Sequence, residues 1–304
     1  MGIDATVTDQ PITDELAMSA DVFVLQSTVD KQGIALLRAY QKEKGKKIVA
    51  EFDDFFDANE DNPNLLEHQI SQAPDVLRVV AEIADVVTCT TNHLADKLRP
   101  YNKNVVVLPN FMDMERWDLP KKPNKTGYIN IGWCGGMSHY KDLEMIVEPL
   151  QRILKEFSNV KLFIVGELRA KKWFEGYKNV ECMLAVPFEA YPTRLHGLSL
   201  DIGLAPLIDN EFNKCKTNIK WMEYSIAQIA GVFSPTVYNR RGFEPKFGFI
   251  AKTPDEWYSA IKQLILHPDI RKEAAINSYD LVKHNYNLQK QVHKWAETYT
   301  NLFV

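Results

Sequence analysis

Short apolar runs alternate with helically spaced apolar positions along the 304-residue chain. Val22–Gln26, Lys47–Phe52, Val86–Thr90 and Val105–Leu108 read as strands, rich in branched and aromatic side chains. Between them Ile34–Lys44, ending near Gly45, Val76–Ala84 and Asn92–Arg99 carry helical spacing. Pro109 and Asn110 close this series. Leu119–Gly127, "LPKKPNKTG", holds prolines and lysines without periodicity and reads as a linker. A second series follows, with strands predicted at Ile129–Trp133, Lys161–Val165, Val180–Leu184, Ile202–Ala205 and Val232–Ser234. Helices are predicted at Leu143–Phe157, Tyr191–Leu198 and Lys216–Ala227. Thr253-Pro254-Asp255-Glu256 is a capping box with proline at the first helical position. Further helices are expected from about Arg271 to His284 and from Leu288 to Thr300. Two consecutive β-α-β series predict an α/β protein of two doubly wound, Rossmann-like domains facing a cleft. The expected division is 1–120, 121–285 and a C-terminal helix over 286–304 that packs back on the first domain.

Composition narrows the class. Hydrophobic residues make up 45% and charged residues 25%, as expected of a packed, soluble protein. No apolar run approaches the roughly 20 residues that span a bilayer, and the first residues lack a secretory pattern. The four cysteines are widely spaced, which predicts buried free thiols in a cytoplasmic protein and no zinc site. The net charge of −4 divides into −10 over residues 1–120 and +6 over 121–304. A basic second part suits an anionic ligand, and an acidic first part argues against a long nucleic-acid groove.

Candidate chemistry concentrates in two stretches. "NIGWCGGMSHYKDLEMI", Asn130–Ile146, runs from a strand through Gly135 and Gly136 into a helix, with Ser138, His139 and Lys141 in the turn. Glycines allow close backbone approach, and hydroxyl, imidazole and ammonium groups suit a phosphate or diphosphate. It matches neither G-x-G-x-x-G nor the P-loop. "DIGLAPLIDNEFNKCKTNIKWMEYSIAQIAG", Asp201–Gly231, runs from a strand through a polar loop into a helix expected to begin at Lys216 and Thr217. Lys216 and Lys220 would then share one face, with Glu223 a turn further on. Cations near a helix start oppose its dipole, so they point to a bound anion.

The two stretches resemble the nucleotide-sugar-binding half of GT-B glycosyltransferases, in the family-4-like group. Gly135, Gly136 and Lys141 match a strand ending in glycine with a lysine five or six residues on. Ser138 and His139, with "DIGLAPL…FNKCKTNIKWMEY", look like a subgroup found in surface-polysaccharide and phage-encoded enzymes. Of the family's E-x7-E pair Glu223 matches the second glutamate, while Cys215 stands in place of the first. "KGKKIVAEFDDFFD" and "VVVLPNFMD", with Asn110, carry the likeness more weakly into the first part.

The resemblance implies a GT-B-like fold and transfer of a sugar from a nucleotide diphosphate donor to a glycan, lipid-linked or other hydroxyl acceptor. A short acceptor-side domain would lie over 1–120 and the donor domain over 121–285. It implies no cofactor and no metal. The leaving diphosphate would be stabilised by Ser138, His139, Lys141 and Lys216, with Gly135, Gly136, Thr217 and Lys220 also in the donor site. Glu223 would hold the ribose, and Val186, Pro187, Phe188 and Tyr191 would flank the base. Asp53 or Asp54 would orient the acceptor hydroxyl or act as base. A carboxylate pair also suits a divalent cation, but the surrounding pattern favours the metal-free fold. His68 and His93 are further histidines on the presumed cleft, with no role assigned. No stable nucleic-acid partner is expected, and a peripheral membrane contact is left open. The alternatives are a nucleotide- or sugar-phosphate-binding protein without catalysis, and a phage-type transferase acting on modified DNA bases.

Overall fold

The computed structural model describes residues 4–26, 31–56, 73–238 and 243–304; Asp57 and His68 lie outside them. The chain forms two compact units. The first comprises 1–110, 214–217 and 290–304, and the second 111–213 and 218–289.

The first unit is built on a four-stranded parallel sheet in the order β1 (Val22–Gln26), β2 (Lys47–Phe52), β3 (Val86–Cys89), β4 (Val105–Val107). Ile48, Val49, Ala50 and all of β3 are buried, as parallel strands covered on both faces require. Helices Lys31–Lys44, Ala73–Ile83 and Asn92–Leu98 connect the strands. Leu37, Ile48, Val87, Leu94 and Leu98 share its core with Cys215 from the distant segment.

The second unit is a six-stranded parallel sheet of β5 (Ile129–Cys134), β6 (Val160–Val165), β7 (Val180–Met183), β8 (Ile202–Ala205), β9 (Ala230–Phe233) and β10 (Phe249–Ile250). The spatial order is β10-β9-β8-β5-β6-β7. The chain builds from β5 toward β7, then returns to the other side of β5 and builds toward β10. Its direction of growth therefore reverses between β5 and β8. Helices Val147–Glu156 and Pro254–Leu266 cover one face through Leu150, Ile153, Trp257 and Ile261. Tyr191–Gly197 and Ile219–Ile226 cover the other through Leu195, Met222 and Tyr224. Met112 joins the unit's two ends: its N–H donates to the Tyr286 carbonyl (2.7 Å), and its carbonyl accepts from Leu288 (2.9 Å).

Several boundaries differ from the sequence reading. The helix expected over Leu143–Phe157 is two helices, Tyr140–Glu144 and Val147–Glu156. Pro149 has no N–H to donate, so it sits in the first turn of the second helix rather than inside one long helix. The helix expected to begin at Lys216 begins at Ile219. Residues 214–217 are held by the first unit: Thr91 donates to the Cys215 carbonyl (2.9 Å), and Asn110 donates to the Thr217 hydroxyl (3.2 Å). The segment expected as a linker lies on the second unit, where Lys121 donates to the Gln228 carbonyl (2.7 Å) and Asn124 to Asp201 (2.6 Å). The chain divides instead at Asn110–Phe111. The C-terminal helical region is broken into Leu288–Gln291 and His293–Thr300, and 290–304 group with the first unit.

The capping box is formed as read. The Thr253 hydroxyl accepts from Glu256 N–H, and Glu256 accepts from the Thr253 and Lys252 N–H groups. Thr253→Ala should cost about 1 kcal/mol of unfolding free energy, read as a lower urea midpoint at unchanged slope.

Candidate functional site

In open parallel sheets a crevice forms outside the carboxyl ends of the strands where growth reverses. In the second unit that point lies between β5 and β8. After β5 the Gly135 N–H still donates to the Val165 carbonyl of β6 (3.0 Å). Gly166 passes so close, at φ +97°, that a Cβ there would lie 1.8 Å from the Gly135 carbonyl oxygen. Gly136 is different. It is exposed, its backbone is extended (φ −89°, ψ 172°), and a Cβ would meet only the Ser138 Oγ at 3.9 Å. Nothing in the described chain requires glycine at that position. A 3-10 turn, Met137–His139, follows and leads into the helix Tyr140–Glu144, on which Lys141 is exposed.

Two groups brace this turn. Asp142, 4% exposed, accepts from the Ile208 N–H (2.8 Å) and the Asn213 amide (2.9 Å) through Oδ1, and its Oδ2 lies 2.8 Å from His139 Nδ1. Arg169, beyond β6, donates to buried Glu167 (2.8 Å) and to the Met137 carbonyl (3.1 Å) while its guanidinium lies over the Tyr140 ring (4.2 Å). The Arg169 partner lowers the Glu167 pKa against the opposing effect of burial.

On the β8 side, Lys220 Nζ donates to Glu223 Oε2 (2.6 Å) and to the Tyr191 hydroxyl (3.1 Å). The Tyr191 hydroxyl donates to the same Glu223 oxygen (3.1 Å). The Tyr191 ring meets Trp117 edge-on at 5.6 Å. Burial and then the Glu223 charge push the Tyr191 phenol well above its usual range. The cluster adjoins the end of β5: the Cys134 thiol lies in the buried core against which Tyr191 packs, and burial pushes it up to about 12.

The structure therefore gathers Gly135, Gly136, Ser138, His139 and Lys141 after β5, and Tyr191, Lys220 and Glu223 beside its end. Pro187 precedes the 3-10 turn Phe188–Ala190, where the Arg116 guanidinium lies 5.0 Å from the exposed Phe188 ring. Lys216 and Thr217 are not on the helix with Lys220; they belong to the first unit. There Lys216 Nζ pairs with Asp54 (2.9 Å) at the end of β2. Asp53 is exposed, yet the surrounding protein still costs its charged form hydration. That loss and then Asp54 raise its pKa, against Gln26 and Lys216. His93 lies on Asn92–Leu98. Asp142, Glu167, Arg169 and Asn213 were not singled out from sequence. The His139–Asp142 spacing of one helical turn was the available signal.

No family model matches this chain, and no curated protein matches it. Solved structures do. TarM of S. aureus aligns over 93% of this chain and 54% of its own, at 14% identity and TM-score 0.68. This chain thus spans about half of TarM's length. Anabaena HepE in complex with UDP-glucose aligns over 94% and 81%, at 12% identity and TM-score 0.70. The fold is that of the GT-B glycosyltransferases. A glycosyltransferase from Rickettsia africae also aligns, over 99% of this chain and 84% of its own, at 12% identity and TM-score 0.67.

Proposed function

We propose that the second unit seats the nucleoside diphosphate of a sugar donor, and that the protein transfers the sugar to an acceptor hydroxyl. One observation carries this reading: the glycine turn after β5 and the Lys220–Glu223 pair both adjoin the strand end where sheet growth reverses. The fold neighbours add weight, since HepE is bound to UDP and UDP-glucose and the pneumococcal O-GlcNAc transferase GtfA to UDP and GlcNAc.

In this reading Gly136 lets a phosphate come against the backbone, and Ser138, His139 and Lys141 meet its oxygens. Fixed donors and cations of this kind gain most as charge develops on the leaving diphosphate. Glu223 has one carboxylate oxygen committed to Lys220 and Tyr191 and turns the other to ribose hydroxyls. Asp53 or Asp54, after β2 in the first unit, is the candidate to orient an acceptor hydroxyl or act as base. The acceptor class is a glycan or another hydroxyl compound.

A thermal-shift screen of nucleoside diphosphates tests the seat, because a ligand of the folded state at about 100 times its Kd adds about 2.7 kcal/mol. A clear rise with one diphosphate is expected, and no rise with any would overturn the reading. Retention of diphosphate with no sugar released from any donor would instead identify a binding protein. Turnover is also expected to stay within about twofold in excess chelator, because the seat supplies its own positive charge. Loss of turnover restored by magnesium or manganese would show a metal requirement.

A further inference from the structure

The Asp142 carboxylate is compensated by three groups from two parts of the chain: His139 one turn away, and Ile208 and Asn213 after β8. An ionised carboxylate only accepts hydrogen bonds, so the 2.8 Å contact with His139 is a bond only if Nδ1 carries a proton. The two other donors both bond Oδ1, so neither contact calls for a proton on the carboxylate. The imidazole is thereby held with Nδ1 protonated, and Nε2 has no partner among the described residues. The His139 side chain is a quarter exposed, so a ligand can reach it.

The geometry points to Asp142 as a positioning residue that decides which nitrogen His139 offers at the glycine turn, and that ties the segment Ile208–Asn213, which enters the short helix Glu211–Lys214, to the same carboxylate. With Nδ1 committed to Asp142, Nε2 is the nitrogen left to a ligand, and a doubly protonated ring bonded to a phosphate oxygen would have its charge balanced by Asp142. That the ligand is a diphosphate rests on the reading above; the clamp on the imidazole does not. The other charges around the turn are Lys141 and Glu144 on the same helix, and Glu167, Arg169 and Lys172 from the segment after β6.

Nitrogen-15 NMR of the His139 ring tests the clamp directly on the unaltered protein. The neutral ring should be protonated at Nδ1 and, with saturating UDP, at both nitrogens. A neutral ring protonated at Nε2 would overturn the proposal without any variant. In Asp142→Asn the new amide must donate toward His139 if its oxygen still accepts from Ile208 and Asn213, so the ring should switch to the Nε2–H form. That Nε2–H can still donate to a phosphate oxygen, but without the ring's positive charge, so UDP affinity should fall about 10-fold, the difference between a charged and a neutral hydrogen bond. It should fall no further when Asp142→Asn is added to His139→Ala. Additive losses would mean that Asp142 does not act through His139. If the unaltered protein binds no UDP, the donor reading fails, and the ring's protonation still decides the clamp.

Discussion

Replacing Gly136 by valine is expected to abolish measurable nucleoside-diphosphate binding while leaving stability within about 0.5 kcal/mol of the unaltered protein. The backbone there is extended, which valine adopts without strain, and the nearest atom to an added Cβ is the Ser138 Oγ at 3.9 Å. The fold therefore loses nothing. A ligand lying against this backbone would lose its approach, together with one or two charge-assisted hydrogen bonds of about 1.5–3 kcal/mol each. Affinity should drop at least about 100-fold. Gly166→Ala is the contrasting control. Its Cβ would lie 1.8 Å from a backbone oxygen at a φ of +97°, so it should lower the melting temperature whether or not a ligand binds. Calorimetric titration with UDP, beside melting curves of both variants, separates the two kinds of glycine. A Gly136→Val protein that binds UDP as the unaltered one does would remove the turn from the seat.

Much of the sheet architecture was legible because parallel strands are buried on both faces and write themselves as unbroken apolar runs. β1, β2 and β8 have the bounds that the pattern predicts. β9 starts two residues early, at Ala230-Gly231, because pairing with Ile202 and Gly203 holds small residues that no propensity would place in a strand. Pro149 was a readable signal for the break between two helices that periodicity alone joined. The helix expected at Lys216 illustrates the opposite limit. Local spacing favoured it, but Cys215 is buried in the core of the first unit, and that tertiary demand keeps 214–217 out of the helix.

The site divides along the same line. Glycines after a strand are conspicuous in sequence, so the turn could be found. Asp142 acts through Ile208 and Asn213, and Arg169 through the Met137 carbonyl. Those partners are 66, 71 and 32 residues away, beyond any local pattern.

Glu223→Gln should weaken a nucleotide-sugar donor roughly 10- to 100-fold, the loss expected when charged hydrogen bonds worth about 1.5–3 kcal/mol become neutral ones. Glu223 is 7% exposed and shares one oxygen between Lys220 and Tyr191, so the substitution also leaves the Lys220 ammonium without its carboxylate. That change lowers stability and disturbs the pocket for every ligand alike. A comparison of two ligands removes it. The 2′,3′-dideoxy form of the same nucleotide-sugar donor keeps the sugar, phosphates and base but has no ribose hydroxyls for Glu223 to hold. The general disturbance acts on both ligands equally, and the contact with the hydroxyls acts on one, so the difference between the two losses isolates that contact. The dideoxy ligand should bind the unaltered protein weakly and lose little more in Glu223→Gln. An equal loss for both ligands would mean that Glu223 serves only to hold Lys220 and Tyr191 beside the end of β5, and the ribose would have to be held by another group.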